Sequence, residues 1–267
     1  MRIYAEGRMM LSRQPGARLL TAVECTWHHE SPDTGAHGRE RVLPDVRFQV
    51  VLNLSAGTAA VSGLRSHNVV IDTASISHVM GVVFRPARAR SFFEEPAFDF
   101  YDRSVPLELV WGPKASQLVD RLRSETSAPG RLAILEAALV EIWSTSDRRR
   151  LTVHPAVRYA LRAFHNSPHI KSVADVSHEI GWSRRWFCRA FAESVGMTPK
   201  RYCRLLRFQR VVRQVASGRR VDWADLAVSC GFADQAHLVH EFQAFSGLSP
   251  ERFLAAERSS PNHIRLD

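Results

Sequence analysis

Two short runs of side chains in this 267-residue chain have the types and spacing to read the edges of nucleic acid bases. In the first, Arg185 and Arg189 stand one helical turn apart, beside Arg184 and Cys188. A guanidinium fork matches the two major-groove acceptors of guanine, so Arg185 and Arg189 suit direct base reading. Arg184 suits a base or a phosphate. In the second run, Gln235 matches the donor–acceptor pair of adenine, and His237 and His240 are weaker donors. Ala236 and Val239 offer only apolar contact with a thymine methyl. The position matching Arg189, 51 residues on, is His240. The second run therefore has fewer strong donors, and phosphate contact is its alternative role.

Two other groups have residue types that suit chemistry of a different kind. His28-His29-Glu30 and His37 are the histidines clustered near acids. A metal site on one strand needs ligands projecting to one side, and adjacent residues project to opposite faces. This favours a solvated loop over a metal centre. Cys25 could serve as an alkyl acceptor only in an activating or metal-bound setting. It stands among apolar residues and reads as a small core side chain. No catalytic residues, no metal ligands and no cofactor are expected, and the effector-binding residues are unassigned. The alternative kept open is a metal- or cysteine-dependent enzyme, for example an alkyl-acceptor DNA repair protein, that borrows the carboxy-terminal segment for targeting.

The elements that must hold the two runs are written twice. Ser172 to Tyr202 and Asp222 to Phe253 each read helix, glycine, helix, glycine, Ser/Thr-Pro, aromatic. Such a repeat is the first thing to settle in a chain, and here it gives two helix-turn-helix units in tandem. Ser172 with Asp175, and Asp222 with Asp225, pair a capping oxygen with an acid three residues on. Gly181 and Gly231 end those helices where a left-handed residue is needed. Ser183 caps the second helix of the first unit. Phe187, Ala190 and Phe191 share its inner face, as Leu238, Phe242 and Phe245 do in the second unit. Thr198-Pro199 and Ser249-Pro250 place proline at a first helical position. From Pro199 to about Ala216 the pattern predicts one helix ~25 Å long, buried through Tyr202, Leu205, Leu206, Val212 and Val215. Arg201, Arg204, Arg207, Arg210 and Arg213 spiral around it. That length can hold two reading helices about one DNA turn (~34 Å) apart.

This tandem resembles the DNA-binding domain of the AraC/XylS transcription regulators. The most specific part is Gly231-Phe-Ala-Asp-Gln-Ala-His-Leu-Val-His-Glu-Phe242 followed by Gly247-Leu-Ser-Pro250. The resemblance implies a sequence-specific regulator that binds double-stranded DNA. It also implies a small-molecule effector, RNA polymerase and a second copy of the chain as partners. Arg41–Leu54, Gly81–Pro86 and Val105–Gly112 are similar to an amino-terminal domain found in a subset of these regulators. In that subset glycine-cysteine follows Pro-Asp, whereas Val46-Arg47 stands here. In the wider family such a domain senses a small molecule or dimerises.

Charge divides the chain in the same way. Residues 1–147 hold 16 Lys and Arg against 17 Asp and Glu, while residues 148–267 hold 20 against 10. A basic segment beside a near-neutral one suits a phosphate-binding module joined to something else. We therefore expect a sensing or dimerisation domain over 1–147 and a DNA-binding domain over 148–267. Ser144–Thr152 reads as a polar tether, and Pro155 opens a helix to about His165.

The expected fold class is α+β. An antiparallel β barrel or sandwich with trailing helices precedes an all-α domain of two helix-turn-helix units joined by a long helix. Strands are expected at Ala17–Trp27, Arg47–Leu54, Thr58–Ser62, Asn68–Ile71 and Ser77–Phe84. Helices follow at Ala115–Arg123 and Arg131–Trp143, the second with a Leu132/Leu135/Leu139/Ile142 stripe that is core or a dimer seam. The opening residues lack the apolar run of a signal peptide, and no stretch reaches the ~20 apolar residues of a membrane span. Four scattered cysteines without a C-x-x-C pair argue for a cytoplasmic, disulfide-free chain with no membrane partner.

Overall fold

The structure is a computed structural model that describes residues 2–5, 8–30, 38–73, 76–166, 171–217 and 221–266. Its first half is built from strands β1 (Arg2–Ala5), β2 (Arg8–Arg13), β3 (Val23–Glu30), β4 (Arg39–Val42), β5 (Phe48–Asn53), β6 (Thr58–Ser62), β7 (Val69–Asp72), β8 (His78–Phe84) and β9 (Ser104–Pro106). Seven of them form one antiparallel sheet in the order β1-β2-β3-β8-β5-β6-β9. Alternation makes the sheet two-faced: Phe48, Val50 and Leu52 on β5 are buried while Gln49, Val51 and Asn53 are half-exposed. The central β8 is buried from Met80 to Phe84, as a strand flanked on both edges must be. A Cβ at Gly81 would lie 2.4 Å from the Val50 carbonyl oxygen and 2.8 Å from the Trp27 ring. Glycine is what lets Trp27 lie across the strand there.

Helices α1 (Glu108–Trp111), α2 (Pro113–Ser124) and α3 (Ala128–Thr145) follow, α2 packing on β6 and α3 on β3. Leu132, Leu135 and Leu139 are buried in that contact, so this stripe is core. Residues 17–22 are turns rather than the start of β3, closed by backbone bonds to the Gly16 and Leu19 carbonyls. The polar run after α3 is not a solvated tether. It forms α4 (Arg148–Leu151), held down by Arg88 Nη1 donating to the Leu151 carbonyl at 2.7 Å and Ser91 Oγ donating to that of Arg150 at 3.0 Å.

The second half comprises α5 (Pro155–Asn166), α6 (Val173–Glu179), α7 (Arg184–Val195), α8 (Pro199–Ala216), α9 (Trp223–Cys230), α10 (Gln235–Ser246) and α11 (Pro250–Ala255). The expected capping chemistry is present. Ser172 Oγ accepts from Asp175 N at 3.1 Å, and Asp222 Oδ1 from Ala224 N and Asp225 N at 2.9 and 3.1 Å. Gly231 and Gly247 take left-handed φ of 85° and 71° at the ends of α9 and α10. Helix α8 is the spine, with Tyr202, Leu205, Leu206, Phe208, Val211, Val212 and Val215 all buried.

The chain then returns to its beginning. Strands β10 (Arg258–Ser260) and β11 (His263–Arg265) complete a second antiparallel sheet, β10-β11-β4-β7, which shares strands between the two halves. Around this seam Gln209 Nε2 of α8 donates to the Pro44 carbonyl at 2.6 Å, and Asn262 Nδ2 to Asp45 Oδ2 at 3.3 Å. His263 Nδ1 lies 2.9 Å from the buried Glu40 Oε2. Buried apolar residues of both halves join in one contiguous core.

Candidate nucleic-acid interface

Helix α7 owes its start to Ser183, whose Oγ accepts from Trp186 N at 3.3 Å. Phe187 and Phe191 are fully buried edge to face, and Phe191 also meets Phe164 of α5 and Tyr202 of α8. Burying that face turns Arg184, Arg185 and Arg189 to solvent and leaves Cys188 half-buried among them. Arg184 and Arg185 form no hydrogen bond or ion pair among the described residues. Arg189 is not idle: its Nε donates to Glu193 Oε1 at 2.9 Å, one turn on along the same face. An exposed pair of this kind contributes roughly 0.2–1 kcal/mol, so a base or phosphate can displace it.

Helix α10 is opened by Asp234, whose Oδ1 accepts from His237 N at 2.7 Å. This cap lies outside the paired capping signals of the sequence, although an aspartate before a helical run is such a signal. Leu238, Phe242 and Phe245 are buried, the two rings against Phe208 of α8, leaving Gln235, Ala236, His237 and His240 exposed. His237 Nδ1 accepts from Ala233 N at 3.3 Å. The His240 side chain is 81% exposed.

The arginines of α8 have a different part from those of α7. Arg204 donates through Nε and Nη2 to both oxygens of the mostly buried Glu241, at 2.7 and 2.8 Å, clamping α10 to the spine. That guanidinium holds the Glu241 carboxyl below the usual carboxylate range against the opposing effect of burial. Arg210 Nη2 donates to the carbonyls of Phe164 and His165 at 3.3 Å, satisfying the end of α5. Part of the basic excess therefore holds the two units in place.

Helices α7 and α10 are anchored at their far ends by the first half. The carbonyl of Phe245 accepts from Asn68 N and Nδ2 at 3.0 and 3.2 Å, and that of Ser246 from Arg41 Nη1 at 3.2 Å. These donors cap the negative end of α10. The other helix, α7, meets the turn Ala97–Phe100, and a Cβ at Gly196 would lie 3.2 Å from the Ala97 carbonyl oxygen and 3.4 Å from the Phe48 ring. Both helices thus have their carboxy-terminal ends on the first half, while the predicted reading residues of their opening turns face solvent.

Trp186, in the first turn of α7, is 55% exposed and was not among the expected reading residues. It meets Trp182 edge-on, with ring centroids 6.1 Å apart, and Trp182 in turn contacts His154 at 4.6 Å. The available signal was its place between Arg185 and Phe187, one residue outside the buried stripe.

The histidine cluster and Cys25 lie elsewhere than the sequence predicts. His28–Glu30 lie on β3, not in a loop, and His28 is fully buried while His29 faces the other side. His28 Nε2 lies 3.4 Å from Arg131 Nη1, and burial, with that guanidinium, pushes the imidazole down to about 4. Cys25 is half-buried on the face opposite His28, and burial raises its thiol. His37 lies outside the described residues. All four cysteines are free thiols. Among the described residues no group of three or more His, Cys, Asp and Glu could hold a metal ion, and no helix is long and apolar enough to cross a membrane.

Residues 176–256 match a family described as a helix-turn-helix domain. Residues 12–106 match a family described as a domain of unknown function, DUF6597. No curated protein matches the chain. Among solved structures it is similar to an AraC-type transcriptional regulator from Chromobacterium violaceum, at 22% identity and a TM-score of 0.34 over 38% of this chain and 90% of that one. The DNA-binding domain of AdpA, a global transcriptional factor in complex with a target DNA, is similar at 23% identity and a TM-score of 0.35, over 38% and 90%. ToxT from Vibrio cholerae is similar along nearly the whole chain, at 9% identity and a TM-score of 0.42, over 93% and 97%.

Proposed function

We propose that the chain is a sequence-specific DNA-binding transcription regulator of the AraC type, its residues 176–256 matching a helix-turn-helix domain family. The observation that carries this reading is the pairing of two capped helices, α7 and α10, each packed through its phenylalanines on the single spine α8. Each turns a face of its opening turns to solvent: exposed Arg184, Arg185 and Arg189 with half-buried Cys188 on one, Gln235, Ala236, His237 and His240 on the other. Arg185 and Arg189 read guanine in one half of the site. Gln235 reads adenine in the other, with His237 and His240 as secondary donors.

The division of labour falls at residue 147. Residues 148–267 bind double-stranded DNA in the cytoplasm. Residues 1–147 sense a small molecule or pair with a second copy of the chain, and the assembly acts on RNA polymerase. The chain has no catalytic role in this reading. Selection of duplexes from a random pool by the intact protein is the test. Enrichment of one bipartite motif supports the proposal, and an unchanged pool contradicts it.

A further inference from the structure

Within the second half, α8 and α9 enclose an open cavity of about 420 Å³, lined by Arg210, Arg213, Gln214, Ser229 and Cys230. Arg213 and Gln214 lie three and four residues beyond Arg210, so the three share one face at the end of α8. Arg210 is fixed there by its bonds to the α5 carbonyls. Arg213 and Gln214 are exposed, and neither side chain makes a hydrogen bond or ion pair among the described residues. A third guanidinium runs past the end of α9. A Cβ at Gly231 would lie 3.6 Å from Arg207 Nε, which is buried and has no hydrogen-bond partner among the described residues. No carboxylate answers this charge. Asp225, one turn before Ser229, does not line the cavity and forms no ion pair among the described residues, and Asp222 caps the start of α9. Burial lowers the Arg210 guanidinium, and the titratable groups acting on it next are Cys230, Arg213, Arg207 and Cys203. The helix ends do not need these arginines either. Gly231 N and Phe232 N donate to the carbonyls of Val228 and Ala227, and Ser217 N and Oγ donate to that of Gln214. Ser229 Oγ donates to the Leu226 carbonyl, which makes it a wall of the cavity rather than a donor into it.

We propose that this cavity binds a phosphate group, held by the guanidinium of Arg213 together with Arg210 and the Gln214 amide. A planar carboxylate is satisfied by one guanidinium fork, whereas a tetrahedral phosphate takes donors arriving from several directions. A single basic residue in the last turn would merely answer the helix dipole; two guanidiniums and an amide on one face exceed that. The volume is towards the lower end of the range for small-molecule sites, which suits one phosphoryl group on a small body rather than a peptide segment. A free phosphate ester and the DNA backbone both carry this group, and the contact chemistry is the same for either. Only the second source rests on the DNA-binding reading above.

The experiment uses the intact chain and has two arms. In the first, the thermal midpoint is followed as inorganic phosphate or glycerol 3-phosphate is added, against sodium acetate and sodium chloride at matched ionic strength. In the second, affinity for one duplex is measured over a series of salt concentrations. Arg213→Gln removes the exposed guanidinium and Gln214→Ala the amide, with circular dichroism verifying that both variants fold. A free ester as the source gives a saturable rise with the phosphates and none with acetate, weakened at least tenfold by Arg213→Gln. The DNA backbone as the source gives no such rise. Instead the slope of log K against log salt becomes shallower by about 0.9 in Arg213→Gln, alike on selected and scrambled duplexes. Gln214→Ala should weaken whichever readout responds by severalfold, and Arg18→Gln, in the first half, should change neither. The proposal is overturned by the absence of both a saturable rise and a change of slope. It is equally overturned by acetate matching phosphate with the slope unchanged, or by phosphate binding that survives both substitutions. If the intact chain binds no duplex at all, the DNA-binding reading fails and the first arm alone decides the cavity.

Discussion

At the scale of single residues, the two reading helices are unequal in donor strength. Arg185 and Arg189 each offer a bidentate fork, worth roughly 1–3 kcal/mol of base discrimination, while His240 offers at most one bond. Arg189→Ala and Arg185→Ala should each cost more affinity on a selected duplex than His240→Ala, and relax preference within one half-site. Filter binding of each variant to selected and random duplexes at one salt concentration checks this, and equal losses on both would make these side chains phosphate contacts. Glu193 adds a second expectation, because it holds Arg189 in the free protein. Glu193→Gln should release that guanidinium and remove a charge facing the phosphates, tightening DNA binding severalfold in the same assay. Far from the DNA face, His28 sits buried beside Arg131 with its pKa pushed down to about 4. The unfolded chain binds a proton near pH 6.5 that the folded chain refuses until about pH 4. Stability from this group is therefore complete above 6.5 and lost as pH falls to 4, up to about 3 kcal/mol. Urea denaturation of wild type and His28→Gln between pH 7 and 4.5 should show a shallower acid loss in the variant; parallel curves would contradict the burial argument.

Among the elements, the second half was legible because its signals are local. Caps at Ser172, Ser183 and Asp222, left-handed glycines at 181 and 231, and phenylalanines at helical spacing each specify structure within a few residues. The first half was legible where alternation is strong, as on β5 and β6, and less so elsewhere. His28 was hidden because a histidine pair beside an acid looks solvated in sequence, and only the packing of α3 over β3 buries it. The hairpin β10–β11 gave no warning for a related reason. Arg258–Arg265 is short and polar, and it becomes a strand pair only because β4, more than 200 residues earlier, supplies an edge. Removing residues 257–267 should expose that edge, vacate the buried site of Ile264 and break the Asn262–Asp45 and Glu40–His263 contacts. We expect a loss of about 2–4 kcal/mol in urea denaturation of the intact chain, from lost apolar burial and hydrogen bonds. An unchanged midpoint would mean that the shared sheet contributes nothing.

For the whole molecule, the basic excess lies in residues 148–267, yet part of it is engaged internally by Glu241 and by the end of α5. A fragment of residues 148–267 should bind duplex DNA with log K falling steeply against log salt, and residues 1–147 should not bind. Affinity residing in residues 1–147 would place the interface in the wrong half. The most direct measurement compares the intact chain on its selected duplex and on a scrambled one of equal length, at one fixed salt concentration, with and without the paired substitutions Arg185→Ala and Arg189→Ala. The account predicts at least ~10³-fold preference for the selected duplex, reduced by roughly ten- to a hundredfold or more in the double variant, with the scrambled duplex much less affected. Equal affinity for the two duplexes, or a preference that the double variant keeps in full, would contradict sequence reading by the tandem.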